Sequence, residues 1–359
     1  MRVHNFCAGP CTLPLAVLEE VQAELLDFGG SGMSIIEMSH RSPAYEEVHE
    51  ETLALFRESY DVPDGFSILF LQGGATLQFA IVPMNLLGDG ERAGYVRSGT
   101  WANGALKDAV ACGQAYAAWD GEPFSFTRMP SRDELEIEAG TRYLHVTSNE
   151  TIEGIRMAEF PDVEVPLVAD MSSDYLSRHI PWERFDLVYG GAQKNLGPAG
   201  LAVLAVRTSL LAGIGQDLPS YLRLQAHAGK DSLLNTPPMF AIYVTGKTLR
   251  WMREQGGVAA MEERAARRSG AVYDAIASSG GFYRSPVEPA HRSHMNVVFR
   301  SPSDDLDAAF LEGASREGLV NLKGHRSVGG IRASIYNAMT DEGVEALVGY
   351  MGAFRDAYG

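Results

Sequence analysis

The feature that most constrains this chain is a series of short aliphatic runs separated by helix-like stretches. Six runs are hydrophobic along nearly their whole length, which is typical of strands covered on both faces. These runs are residues 67–71, 94–96, 143–146, 165–169, 187–189 and 201–206. Because strands that alternate with helices tend to lie side by side in one direction, the pattern predicts an α/β fold with a mostly parallel sheet.

Apolar residues at a spacing near 3.6 predict helices between and after these strands. The predicted helices cover residues 15–26, 44–60, 77–87, 241–254 and 258–278. After about residue 280 the pattern becomes strand 295–299, helix 306–317, strand 330–335 and a terminal helix from residue 342. The change predicts a large domain over residues 1–255 and a smaller C-terminal α+β domain over residues 256–359, with the first ~15 residues as candidates to join the small domain.

Composition predicts a folded chain and disfavours two classes of partner. With 359 residues, 45% of them hydrophobic and 21% charged, the chain is long enough for about two globular domains. It has no apolar run near the ~18 residues of a membrane helix and no secretory signal, so we expect a cytoplasmic protein without a membrane partner. The net charge of −16 disfavours nucleic acid, and an anionic small molecule would need a local group of Arg and His residues.

Cysteine and histidine spacing predicts neither a disulfide framework nor a metal site. The three cysteines, Cys7, Cys11 and Cys112, are an odd number and do not match a paired-CxxC site. His49 begins like the helix of a zinc protease, but the residue four positions later is Leu53. We therefore expect no bound metal.

Lys194 is the strongest candidate for covalent chemistry. It follows an apolar strand and lies in the glycine-bearing turn Gly190-Gly191-Ala192-Gln193-Lys194, and ligand sites collect at such strand ends. When burial or a nearby cation lowers the pKa of the amine, a lysine can form an imine with an aldehyde cofactor. The alternative is an ordinary surface lysine in a turn.

Four other features of the sequence suit a flat, phosphorylated cofactor. Asp170 follows a buried-type strand, where it could pair with a protonated pyridine nitrogen or simply cap a turn. Gly73 and Gly74 lead from a strand into a helix, and such a start either binds an anion through backbone N–H groups or only makes a tight turn. Trp101 could stack on the cofactor or fill the core. Thr151 could donate its hydroxyl to a phenolic oxygen or be an ordinary loop residue.

In their order along the chain, these residues resemble the fold-type I, class V aminotransferases, which use pyridoxal 5'-phosphate (PLP). Seven motifs narrow the resemblance to the phosphoserine aminotransferase family. They are residues 5–10, 38–41, 149–154, 190–195, 235–238, 323–326 and 332–337. The motifs extend over nearly the whole chain, so the resemblance implies the fold-type I architecture for all of it.

The resemblance implies a homodimer with PLP bound at sites between the subunits. Lys194 would form the Schiff base and act as acid and base, while Asp170 would meet the pyridine nitrogen. Trp101 would stack on the ring, and Thr151 would contact the phenolic oxygen. The cofactor phosphate would be held by Gly74, Ala75 and Gln193, and by Asn235 and Thr236 of the neighbouring chain.

The resemblance also implies that glutamate donates its amino group to 3-phosphohydroxypyruvate, giving O-phosphoserine and 2-oxoglutarate for serine biosynthesis. Some members also use 4-phosphohydroxythreonine in vitamin B6 synthesis. Arg332 is the candidate for the α-carboxylate, because a guanidinium grips a carboxylate with two parallel hydrogen bonds. The distal anion is assigned to His40, Arg41, His325 and Arg326. Thr76 stands where some members have an arginine, so its hydroxyl and backbone N–H would act in place of that guanidinium.

Two alternative functions stay open at this point. One is a class V aminotransferase for an unphosphorylated acceptor such as glyoxylate, and the other is a non-catalytic PLP-binding module. A cysteine desulfurase is disfavoured because it needs a reactive cysteine late in the chain, whereas no cysteine follows Cys112.

Overall fold

The computed structural model describes residues 2–212, 215 and 217–359. The strands are β1 (His4–Asn5), β2 (Phe66–Gln72), β3 (Arg92–Arg97), β4 (Gln114–Asp120), β5 (Thr141–Thr147), β6 (Asn149–Glu150), β7 (Ile155–Arg156), β8 (Leu167–Asp170), β9 (Leu187–Gly191), β10 (Leu201–Arg207), β11 (Asn296–Phe299), β12 (Leu319–Val320) and β13 (Ile331–Ser334). The helices are α1 (Leu15–Glu24), α2 (Pro43–Ser59), α3 (Gly74–Leu86), α4 (Thr100–Cys112), α5 (Thr208–Leu211), α6 (Leu224–Ala228), α7 (Met239–Glu254), α8 (Gly257–Ala277), α9 (Asp304–Arg316) and α10 (Asp341–Tyr358). Among the described residues, none of the helices is both long enough and apolar enough to span a bilayer.

The main sheet has seven strands in the order β2-β10-β9-β8-β5-β3-β4. The five strands from β9 to β4 are parallel neighbours. The prediction of a mostly parallel α/β sheet is therefore confirmed. Strand β10 is the exception, since it runs antiparallel to both β9 and β2.

The direction of β10 follows from the length of the chain that leads into it. Only residues 192–200 separate β9 from β10. A parallel neighbour would need a crossover of about a dozen residues or more, whereas an antiparallel neighbour can be reached by a short turn. That turn carries Lys194, so the topology places the lysine at the end of a buried strand.

Both faces of the main sheet are covered, as the continuous hydrophobic runs predict. Along β9, Val188 packs into a core shared with α2 and α7. Its neighbours Leu187 and Tyr189 pack into a second core shared with α3 and α4. Alternate residues of β9 therefore point to opposite faces of the sheet, and both faces are covered by apolar side chains. Polar side chains can then lie only at the end of the strand.

A third core lies in the C-terminal part of the chain, between α8, α9, α10 and the pair β11–β13. Phe6 packs into this core, and β1 pairs with β12 in parallel. Helix α8 reaches both regions, because Met261 belongs to the core of the main sheet and Val272 to the C-terminal core. The division of the chain at residue 255 into two domains stays a prediction. A boundary there would assign all of α8 to the C-terminal domain, although Met261 packs into the core of the main sheet.

Candidate active site

Lys194 lies in the turn between β9 and β10, with its side chain buried. Its Nζ donates a hydrogen bond of 2.7 Å to Thr151 Oγ1 and lies 5.7 Å from the centre of the Trp101 ring. Burial lowers the pKa of Lys194 to about 8, although the negative charges of Asp170 and Glu150 act in the opposite direction. A substantial fraction of this amine is therefore neutral near physiological pH, as a nucleophile requires.

Asp170 is the last residue of β8 and lies beside β9 in the sheet. Its Oδ1 accepts hydrogen bonds from the backbone N–H of Ser172 at 2.8 Å and from the Ser172 hydroxyl at 2.6 Å. Ser172 Oγ in turn accepts from the N–H of Gly191 at 3.1 Å. Burial raises the pKa of Asp170, while Ser172 and the positive charge of Lys194 oppose that shift. The carboxyl group is thus held in one orientation at the strand end.

Lys194 and Asp170 line the same cavity. The other lining residues are Ala75, Thr76, Phe79, Trp101, Thr147, Asn149, Ser172, Ser173 and Gln193. Three buried polar atoms of this wall lack a hydrogen-bond partner, namely Trp101 Nε1, Thr147 Oγ1 and Gln193 Oε1. Because buried polar groups are nearly always paired, such atoms are typical of a wall that receives a ligand.

The start of α3 forms one end of this cavity. Gly73 and Gly74 both have positive φ, at 90° and 62°, and they turn the chain from β2 into the helix. A side chain at Gly73 would overlap that of Leu77. The backbone N–H of Gly73 donates to Gly200 O at 3.0 Å, which ties this turn to the start of β10. The free N–H groups and the positive end of the helix dipole make this start suitable for a phosphate.

Arg332 lies on β13 with a half-buried side chain, and its Nε is buried without a hydrogen-bond partner. Its positive charge contributes to the lowered pKa of Lys194, so the two cations act on each other across the site. Burial lowers the pKa of Arg332 itself. His325 and Arg326 lie in the turn before β13, where His325 Nδ1 and Ser327 Oγ are 2.7 Å apart. Neither of these two residues lines the cavity around Lys194.

The remaining predicted residues form a cluster at the protein surface. Thr236 Oγ1 lies 3.3 Å from His40 Nδ1, and Arg41 Nε donates to His40 Nε2 at 3.3 Å. Gln72, the last residue of β2, donates through Nε2 to Thr236 O at 3.2 Å. Asn235 and Thr236 are exposed, and none of the four predicted residues of this cluster lines the cavity. The chain therefore gathers the predicted residues in three groups: one around Lys194, one on and before β13, and one at the surface around His40.

A comparison with known families identifies the kind of site that this is. The family model described as aminotransferase class-V matches residues 3–347 of this chain. The chain belongs to the class-V aminotransferase family. The phosphoserine aminotransferase of Niallia circulans is 47% identical over 359 residues, which are 100% of this chain and 99% of the relative.

Solved structures support the same assignment for this class-V aminotransferase. The phosphoserine aminotransferase from Bacillus circulans subsp. alkalophilus has a TM-score of 0.98 and 47% identity, with 100% of this chain and 99% of that chain covered. The PLP-bound phosphoserine aminotransferase from Trichomonas vaginalis has a TM-score of 0.93 and 37% identity, with 98% and 100% covered. The resemblance predicted from the seven motifs is therefore confirmed, as is the fold-type I architecture.

Several residues of the site in this class-V aminotransferase escape prediction from the sequence. Ser172 holds Asp170, and Thr147 and Asn149 line the cavity. The available signal is position, because Thr147 ends β5 and Ser172 follows β8. Two further residues, Glu150 and Glu153, belong to a predicted motif in which only Thr151 received a role.

Proposed function

We propose that this chain is a phosphoserine aminotransferase, which transfers the amino group of glutamate to 3-phosphohydroxypyruvate and releases O-phosphoserine and 2-oxoglutarate. The observation that carries the proposal is the buried Lys194 amine, which is bonded to Thr151 and shares a cavity with Asp170. The full-length match to relatives named phosphoserine aminotransferase supports the choice of substrates.

The residues around Lys194 fit PLP as the cofactor. When bound, PLP supplies an aldehyde that takes up the amino group and an electron-poor ring that accepts electrons from the α-carbon of the substrate. Lys194 would hold the aldehyde end, and Asp170 would hold a proton on the ring nitrogen. Gly74 and Ala75, at the start of α3, would hold the phosphate. The unpaired polar atoms on the cavity wall support this assignment, because they need a ligand to complete their hydrogen bonds.

Lys194 has two tasks in the proposed reaction. With its pKa lowered to about 8, a fraction of the amine is neutral and able to attack an aldehyde. When it is not bonded to the cofactor, the same Nζ would remove the proton from the substrate α-carbon as a general base and later return it as an acid. Thr151, whose Oγ1 is 2.7 Å from Nζ, holds the amine in place between these steps.

Arg332 is proposed to bind the α-carboxylate of both substrates. The Nε atom of Arg332 is buried and has no hydrogen-bond partner. The positive charge of Arg332 helps to lower the pKa of Lys194, so a carboxylate bound to Arg332 would lie near the Lys194 amine. Each substrate carries at least two anionic groups, whereas the chain has a net charge of −16, so local cations are required. We assign the distal anion to two pairs, His325 with Arg326 and His40 with Arg41, together with Thr76 on the cavity wall.

We also propose that the enzyme is a homodimer in which the surface cluster completes the site of the partner. That cluster, formed by His40, Arg41, Asn235 and Thr236, lies outside the cavity of its own chain. The segment that leads to it exposes large apolar side chains, with Leu26 85% exposed and Ile36 57% exposed. Exposed apolar groups of this size are typical of protein interfaces.

A cytoplasmic location is part of the same proposal. The structure has Cys7, Cys11 and Cys112 as free thiols, which suits a reducing compartment. Fractionation of cells followed by detection with an antibody would test the location.

A two-substrate assay tests the function directly. The purified enzyme would be supplied with PLP and glutamate, and 2-oxoglutarate release would be followed with 3-phosphohydroxypyruvate, glyoxylate or pyruvate as acceptor. We expect the phosphorylated acceptor to be preferred by about tenfold or more, since a charged hydrogen bond contributes about 1.5–3 kcal/mol. Preference for an unphosphorylated acceptor would overturn the proposal. Transfer from 4-phosphohydroxythreonine to 2-oxoglutarate would test the second proposed substrate.

A further inference from the structure

Glu150, a residue that the chemistry above does not use, contacts the first turn of α4. This helix begins at Thr100 and carries Trp101 as its second residue. Glu150 is completely buried, and its Oε1 accepts from the N–H of Ala102 at 2.9 Å and from Ser98 Oγ at 3.1 Å. Its Oε2 accepts from the N–H of Trp101 at 3.1 Å. One buried carboxyl group thus pairs with two backbone donors of the helix start.

Glu153 contacts the same turn from the other side. Its Oε1 accepts from the N–H of Thr100 at 2.9 Å and from the Thr100 hydroxyl at 2.6 Å. Its Oε2 is buried and has no hydrogen-bond partner. The residue before the helix is Gly99, which has no side chain to cap it. The two glutamates therefore replace the usual cap and satisfy the first three N–H groups of α4.

The two carboxyl groups are close to each other. If Gly99 had a Cβ atom, Glu150 Cδ and Glu153 Oε2 would each lie 2.7 Å from it, so the two atoms are within twice that distance of one another. Burial raises the pKa of both groups, and the charge of Glu153 adds to the shift of Glu150, while hydrogen bonds from Ala102, Trp101 and Ser98 lower the pKa of Glu150. Two such groups do not both ionise at neutral pH.

Charged and titratable groups from three other parts of the fold face this pair. The charge of Glu150 acts on Lys194 and on Tyr189. Glu153 acts on Arg332, and His325 acts on Glu153. Among the residues that the structure describes, the hydrogen bonds to the two carboxyl groups come from Ser98 and the first turn of α4 and not from these charged groups. A negative charge on the pair would therefore act on the site without being neutralised by direct contact with a cation.

Hydrogen bonding indicates which glutamate carries the shared proton. Burial favours a proton on either group, but both oxygens of Glu150 accept from fixed donors, which favours the carboxylate form of this glutamate. Oε2 of Glu153 receives no donor, while its Oε1 accepts two. A proton on Glu153 Oε2 would supply a donor beside Glu150 and leave every other contact intact.

We propose that Glu150 and Glu153 are positioning residues, in which an ionised Glu150 and a protonated Glu153 fix the start of α4 and thereby the indole of Trp101 beside Lys194. The proposal rests on the proposed function in so far as Trp101 stacks on PLP. It goes further by assigning a role and a protonation state to two side chains that do not line the cavity around Lys194.

Two amide variants separate the roles of the glutamates. In Glu153→Gln the amide oxygen can accept from Thr100 while the NH2 group donates in place of the proton. We expect kcat and the Kd for PLP to stay within about twofold of the wild type, as for a substitution that keeps its hydrogen bonds. In Glu150→Gln one NH2 group must face a backbone N–H, so we expect the Kd for PLP to rise and kcat to fall by about tenfold, with the KM for glutamate nearly unchanged.

The measurements distinguish positioning from general damage. The Kd comes from titration of the cofactor-free protein with PLP. The visible circular dichroism band of bound PLP reports how the protein orients the cofactor in the site. Far-UV circular dichroism of each variant checks folding. If Glu150→Gln does not fold, Ser98→Ala replaces it, because it removes one hydrogen bond from Glu150 and keeps the charge. A smaller loss of PLP affinity and band intensity is expected for that variant.

The possible outcomes are separable from those of the function assay. Wild-type binding and band shape in a folded Glu150→Gln, or in Ser98→Ala when that variant has to replace it, would overturn the positioning role. Equal damage in both amide variants would overturn the placement of the proton. If the wild type binds PLP but does not transfer amino groups to 3-phosphohydroxypyruvate, the proposed function fails, while the comparison of PLP affinities still decides the role of the pair.

Discussion

The titration of Lys194 gives the sharpest test of the site. Burial lowers the pKa of this amine from 10.5 to about 8. At about pH 7.5 an amine with that pKa is roughly one quarter neutral, whereas an unperturbed lysine is neutral in about one molecule in a thousand. Because only the neutral amine reacts with an electrophile, the reactive fraction of Lys194 should be about 200-fold larger than its unperturbed pKa would allow.

Competitive labelling of the cofactor-free protein measures this directly. A small neutral acylating reagent is applied briefly between about pH 6 and pH 11, and labelling of each lysine is quantified by mass spectrometry. The exposed Lys230 serves as an internal control. We expect the labelling rate of Lys194 to rise with pH and level off above about pH 8, well before that of a solvent-exposed lysine with a pKa of about 10.4.

The variant Asp170→Asn tests the direction in which Asp170 shifts the pKa of Lys194. The carboxylate of Asp170 raises the pKa of Lys194 against the effect of burial. Its removal should therefore shift the inflection of Lys194 labelling to lower pH. An inflection near that of an exposed lysine in the wild type, or a shift to higher pH in the variant, would refute the reasoning.

Three further predictions concern the dimer, the substrate and the fold. Mixed dimers of Lys194→Ala and Arg41→Ala should recover about a quarter of wild-type activity, since random pairing gives heterodimers with one intact site in half of the molecules; activity no higher than that of the separate variants would contradict the shared site. Arg332→Lys should raise the KM for glutamate about tenfold in steady-state assays, because a lysine cannot form the paired hydrogen bonds of a guanidinium, and an unchanged KM would rule out the proposed contact. Gly73→Ala should lower the free energy of unfolding by about 1–3 kcal/mol in urea titrations, because φ is 90° and the new methyl group would overlap Leu77; unchanged stability would show that this turn tolerates a side chain.

Much of the fold could be predicted from the sequence, because buried strands and amphipathic helices leave strong periodic patterns. Helix α4 and strand β4 were not predicted. Both are rich in alanine, and β4 lies at the edge of the sheet with two exposed and three partly buried residues, so neither has a clear pattern. The antiparallel direction of β10 also escaped prediction, since it depends on the length of a turn rather than on the composition of the strand.

The site was predicted where a residue acts at the end of its own strand, as Asp170 and Lys194 do. It was missed where the role depends on a distant partner. Glu150 caps a helix that starts 50 positions earlier in the chain, and no local pattern reveals such a contact. The surface group around His40 and Thr236 was named only through the family resemblance, and its separation from the cavity is visible only in three dimensions.

The hydrogen bond between Gly73 and Gly200 has a consequence for the choice of ligand. This bond joins Gly73, in the turn that would hold an anion, to Gly200, at the end of the turn that carries Lys194. Strand β10, which pairs with β2, begins directly after Gly200. The spacing between the backbone of the Lys194 turn and the anion cradle is therefore set by main-chain geometry, and only the Lys194 side chain can adjust the position of the amine. A ligand whose reactive carbon and phosphate are one methylene farther apart would have to be accommodated by the Lys194 side chain alone, so the scaffold favours one molecular length.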